Sequence, residues 1–116
     1  MNKPMLDMTL LNDYMDNLGG EIVFDMVGLF IQQSTLYVKE IEQTINSTSD
    51  DAQLEWKEAC HKMKGSAGSM GLKRLHGLLA SSQTFTGNSD EKFIRLAEIQ
   101  QLNDECIVAL REWISE

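Results

Sequence analysis

A chain of 116 residues, 42% apolar and 24% charged, is one small domain's worth of sequence, long enough for a single core and too apolar to stay disordered. Its 18 acidic residues outweigh 10 basic ones for a net charge of −8, the reverse of what a phosphate backbone attracts, so nucleic acid is not an expected partner. No apolar run reaches the roughly 18 residues of a membrane span, the N-terminus lacks a basic-then-apolar signal layout, and Cys60 and Cys106 are too few for a disulfide scaffold or a cysteine-based zinc site. The expectation is a cytoplasmic domain with free thiols and no direct membrane contact.

Helical period dominates from the start of the chain. Thr9 is placed to cap a short first helix that Gly19 and Gly20 end. From Gly20 to about Thr48, Val23, Val27, Phe30, Tyr37, Ile41 and Ile45 recur at three-and-four spacing, broken only by Ser34. The polar run from Asn46 to Asp51 is turn-forming, with Ser49 or Asp50 able to cap the next helix. Trp56, Cys60, Met63, Ala67 and Met70 then keep the rhythm. After a break at Gly71, so do Leu72, Leu75, Leu79 and Ser82. Thr86 to Asp90 forms the last interruption before Leu96, Ile99, Leu102, Cys106, Ala109 and Trp113. Nothing alternates at period two. The pattern predicts an all-α fold, an antiparallel four-helix bundle with a short additional N-terminal helix, as one domain over residues 1–116 and monomeric in isolation.

One segment carries unusual chemistry. Residues 57–74 read KEACHKMKGSAGSMGLKR: Lys57, Lys62, Lys64, Lys73 and Arg74 face only Glu58, so this window is +4 while the remainder of the chain is −12. A basic patch in an acidic domain suggests one place where an anionic group is handled, although a solvated lysine-rich helix face has the same look. Gly65, Gly68 and Gly71 interrupt a segment whose apolar period runs through them. A glycine inside a helix costs about 0.8–1 kcal/mol relative to alanine, so helical glycines need a reason. At about 100° per residue, with His61 at zero, Lys57 falls near −40°, Lys64 near −60°, Gly65 near +40° and Gly68 near −20°. The core stripe lies on the far side. His61 therefore faces solvent between two lysines, with bare backbone on its remaining neighbours, as if something large approaches it. The plainer alternative is that Gly65 caps the helix and GSAGSMG is a loop.

Other chemistries are weakly supported. No G-x-G-x-x-G or G-x-x-x-x-G-K-[ST] occurs and no strand precedes the glycines, which disfavours a nucleotide loop. His61 and His76 are the only histidines and their neighbours are basic, so no metal site is expected. Cys60 belongs to the apolar stripe rather than to a nucleophilic pair. His76 has leucine, not lysine, three residues on and reads as an ordinary surface residue.

HKMKGSAGSMG resembles the signature of histidine-containing phosphotransfer domains, His-x-x-Lys-Gly-(Ser/Ala)-(Ser/Ala)-x-x-x-Gly, matching at His61, Lys64, Gly65, Ser66, Ala67 and Gly71. It departs at Met63, where leucine is commoner, and at Cys60, where alanine is usual. Ser81, Ser82 and Gln83 stand where the family often has an acidic residue. The chain is similar to the C-terminal domains of this type in hybrid sensor histidine kinases of the respiratory-sensing kind. The resemblance implies that His61 accepts a phosphoryl group from a receiver-domain aspartate and hands it to the receiver of a response regulator, without kinase activity of its own. It implies that Lys64 screens phosphoryl charge and that Lys57, Lys62, Gly65, Gly68 and Gly71 meet the partner. It further implies no resident cofactor, Mg²⁺ being carried by the receiver, and a place in the cytoplasmic C-terminal part of a membrane-bound kinase. Two competing readings are a helical module that docks a receiver without transfer and an enzyme using His61 as general base. The second lacks any further catalytic group on that face.

Overall fold

The computed structural model describes residues 5–115, and these form five helices and no strand. They are α1 (Met8–Leu18), α2 (Gly20–Ile45), α3 (Ala52–Ser69), α4 (Lys73–Gln83) and α5 (Ser89–Ile114). The predicted domain limits, 1 and 116, lie outside the described residues.

The starts and stops follow from side chains that satisfy the free backbone groups at helix ends. Asp7, not Thr9, caps α1: its carboxylate accepts from the Leu10 N–H at 3.1 Å, and Thr9 lies inside the first turn. A tertiary bond fixes that choice, because the Asp7 N–H donates to the Gly71 carbonyl at 2.7 Å. Gly19, at φ 86°, ends α1 and begins α2, a left-handed backbone that favours glycine. The N-cap of α3 is Asp51 rather than Ser49 or Asp50 and makes no side-chain capping bond; the Ser49 hydroxyl instead accepts from the Asp51 N–H at 3.1 Å in the preceding turn, and α3 starts at Ala52. Asn88 and Glu91 form a reciprocal capping box at the start of α5, at 2.9 and 3.0 Å.

α2 packs against α3 and α5, and α4 packs against the same two, so four helices close around one core while α1 rests on α2. The buried stripes of α3 and α4 are the expected ones: Trp56, Cys60, Met63, Ala67 and Met70, then Leu72, Leu75, Leu79 and Ser82. Ser82 holds its place because the Trp56 indole N–H donates to its carbonyl at 2.7 Å and its own hydroxyl donates to the Leu78 carbonyl at 2.7 Å. Full burial of an apolar side chain stabilises by about 1.5–3 kcal/mol, so these two stripes anchor α3 against α4.

The stripe of α5 differs from expectation. Asn103 and Leu110 are buried, whereas Leu102, Ala109 and Trp113 are half-buried. The cause lies on α2, where Ser34 is fully buried and receives a hydrogen bond from Asn103 Nδ2 at 3.1 Å. Two polar residues, each a break in its own helix's period, meet across the core and set which face of α5 turns inward.

Candidate functional site

α3 runs unbroken through Gly65 and Gly68 to Ser69. This removes the alternative in which Gly65 ends the helix. The end comes at Met70, and the chain turns at Gly71, whose φ of 71° is a left-handed conformation. Gly71 is buried, and a Cβ on it would stand 3.1 Å from the Asp7 Cβ. Its requirement is thus conformational, at the α3–α4 corner, and it stands apart from the exposed face around His61.

On that face, His61 and Lys57 are exposed and Lys64 is half-buried. None of the three has a hydrogen-bond or ion-pair partner among the described residues. The continuous helix puts both lysines within a turn of the imidazole, so their charges are available to an anion brought to the ring. Lys62 points elsewhere: its ammonium pairs with Glu40 on α2 at 3.1 Å, with both side chains exposed. Such a pair is worth about 0–1 kcal/mol, so it stays exchangeable.

The two helical glycines are not equivalent. A Cβ on Gly65 would have nothing within 4 Å, so the space beside it is open. A Cβ on Gly68 would come 3.1 Å from His76 Cδ2, because the His76 ring on α4 fills that space. Gly68 thus seats His76 against α3. His76 is exposed, as expected of a surface residue, yet its ring also reaches across the α3–α4 corner, a contact outside the reach of helical period. On the Gly65 side, an open groove of about 480 Å³ runs between α2 and α3, lined among others by Met26, Leu29, Tyr37, Ser66 and Met70.

The thiols take no part in this face. Cys60, next to His61 in sequence, is fully buried, and burial pushes its thiol up to about 12 against weaker opposing charge from Arg95 and Lys92. Burial does the same to Cys106. Protonated, enclosed thiols are poor nucleophiles. Among the described residues, no three His, Cys, Asp or Glu side chains gather as metal ligands, and no helix is long and apolar enough to cross a membrane.

The arrangement can present a nucleophilic imidazole to a large partner, with positive charge beside it and clear approach along Gly65. The family model of the Hpt domain matches residues 25–114. The aerobic respiration control sensor protein ArcB of Escherichia coli K12 is 32% identical over 77 residues, 66% of this chain and 10% of ArcB. The proteins of that name from Shigella flexneri and Escherichia coli O157:H7 align with the same figures. The chain thus spans 10% of the length of these curated relatives. No solved structure matches it.

Proposed function

The chain belongs to the Hpt domain family, and from that premise we propose that it is a phosphorelay intermediate in two-component signalling, with His61 as phosphoacceptor. Its partners are the receiver domain of a hybrid sensor kinase, which supplies the phosphoryl group, and that of a response regulator, which takes it. The similarity to a sensor protein of aerobic respiration control supports this setting. The observation that carries the reading is the exposed His61 on an unbroken helix, flanked by Lys57 and Lys64 and open on the Gly65 side.

The neutral imidazole is the nucleophile. Its Nε2 attacks the phosphorus of an aspartyl phosphate. A P–N bond forms as the P–O bond to the aspartate breaks, and the aspartate leaves as a carboxylate. Onward transfer reverses these steps at a second aspartate. The transition state is loose, so positioning and charge neutralisation do most of the work. Lys64 places its ammonium one turn from the ring and screens the phosphoryl oxygens. Lys57 steers the acidic receiver pocket, and Lys62 joins it when its exposed pair with Glu40 opens. Gly65 leaves room for the receiver's loops, and Gly68 and Gly71 act behind them by holding His76 and the α3–α4 corner.

In this reading α2, α3, α4 and α5 run antiparallel, although α4 is no longer than α1, and the domain is a monomer with no cofactor of its own, Mg²⁺ residing in the receiver. It is a substrate and relay without kinase activity, in the cytoplasmic part of a sensor kinase. The test pairs two donors. A receiver phosphorylated on aspartate donates through docking; phosphoramidate donates to an exposed imidazole without it, releasing ammonia. Wild type accepts from both, and His61→Gln accepts from neither while still binding the receiver. A chain that binds the receiver yet takes no phosphoryl group from either donor is a docking module instead.

A further inference from the structure

A glycine at position 68 weakens α3 relative to alanine, and the His76 ring takes up the space it leaves. His76 Cδ2 lies 3.1 Å and Nε2 3.6 Å from where a Gly68 Cβ would stand. Gly68 follows His61 by seven residues on one continuous helix, which puts the two about 20° apart around the axis and about 10 Å apart along it. The His76 ring therefore lies on the side of α3 that carries His61, two turns towards the α3–α4 corner. His76 is exposed, and its imidazole has no hydrogen-bond or ion-pair partner among the described residues. The ring is seated at a cost to the helix, and its nitrogens gain the fold no polar bond.

What meets the ring follows from the phosphorelay reading, on which this inference rests. A transient signalling interface covers about 600 Å² on each partner, the area of a disc of about 14 Å radius. Centred on His61, that footprint includes His76. Residues 57–74 on this side sum to +4, so the complementary surface is anionic. Lys73, one turn earlier on α4, is drawn to Asp7 at 4.0 Å, which leaves the imidazole an uncommitted donor at this end of the face. An imidazole carries at least one N–H in its neutral and its charged form alike.

We propose that His76 is a second anchor for the receiver: its N–H donates to a carboxylate on the receiver beside the phosphorylated pocket. Gly68 holds the ring in place for that bond. His76 takes no phosphoryl group itself and acts on docking alone.

The test follows single-turnover transfer from an excess of the hybrid kinase's receiver, phosphorylated on aspartate. Maximal rate and half-saturating receiver concentration are read separately. His76→Leu covers Gly68 but carries no N–H; it raises the half-saturating concentration about tenfold, the worth of one charge-assisted hydrogen bond, with little change in maximal rate. His76→Gln keeps a donor and stays close to wild type. Gly68→Ala displaces the ring and raises the half-saturating concentration too, but adds nothing in a His76→Ala background. His76 is exposed, so its variants keep the wild-type circular dichroism. Phosphoramidate, which needs no docking, still labels His61 in each of them. An unchanged half-saturating concentration in His76→Leu, an equal loss in His76→Gln, or a loss confined to the maximal rate overturns the anchor, while labelling by phosphoramidate upholds His61 as acceptor. A wild-type chain that neither donor labels overturns the relay reading and the anchor with it.

Discussion

At Gly65, stability and relay pull in opposite directions. A methyl group there would touch nothing within 4 Å, and alanine in a helix interior gains about 0.8–1 kcal/mol over glycine. Gly65→Ala is therefore expected to raise the melting temperature by a few degrees while slowing transfer from a receiver; Gly65→Val should slow it further. Thermal melts beside transfer time courses check this, and a stabilised variant with undiminished transfer would remove close approach as the reason for the glycine. Gly68 behaves differently because the His76 ring occupies its space. Gly68→Ala is expected to be nearly silent in stability, the helical gain being offset by the displaced ring. In a His76→Ala background the same change should stabilise by about 0.8 kcal/mol. Urea unfolding of the four chains in that cycle measures the coupling, and strict additivity would contradict the contact.

Among the elements, the α3–α4 corner carries the sharpest expectation. Gly71 holds a left-handed φ of 71° with Asp7 packed on it, so alanine there costs about 1–2 kcal/mol in backbone strain alone. Asp7→Ala should cost about 1 kcal/mol through the lost cap, and Thr9→Ala much less. Equal losses at Asp7 and Thr9 in urea melts would contradict the capping assignment. The same elements show what a sequence reveals. The stripes of α3 and α4 were readable to the residue because every member is apolar or, at Ser82, small enough to keep the period. α5 was read one position off at Leu102 and Ala109 because hydropathy scores Asn103 as outward, and only its pairing with Ser34 turns it in. The cap at Asp7 escaped for a similar reason, depending on a bond to Gly71 far along the chain. Around His61, local spacing sufficed to put Lys57, Lys64 and Gly65 on one helix near the ring. The contacts that occupy Lys62, Gly68 and Gly71 come from other helices, where periodicity has no reach.

At the scale of the whole molecule, the net −8 hides a basic window around His61 and an acidic remainder, which suits one anionic group handled at one place. The closed core also governs the alkaline limit. Burial raises the Cys60 and Cys106 thiols from 9.0 to about 12. Below pH 9 both states hold these protons; between about 9 and 12 the unfolded chain releases them and the folded chain does not. Stability is therefore lost as pH rises through that window. Urea midpoints should fall from pH 9 upward, and less steeply in a Cys60→Ala, Cys106→Ala chain; equal slopes would contradict the buried thiols. Phosphotransfer to His61 is tested by mapping the site of the phosphoryl group after incubation with a phosphorylated receiver. The expected result is an acid-labile, base-stable modification on His61 alone, lost in His61→Gln. A modification that persists in that variant, or that maps to His76, would contradict it.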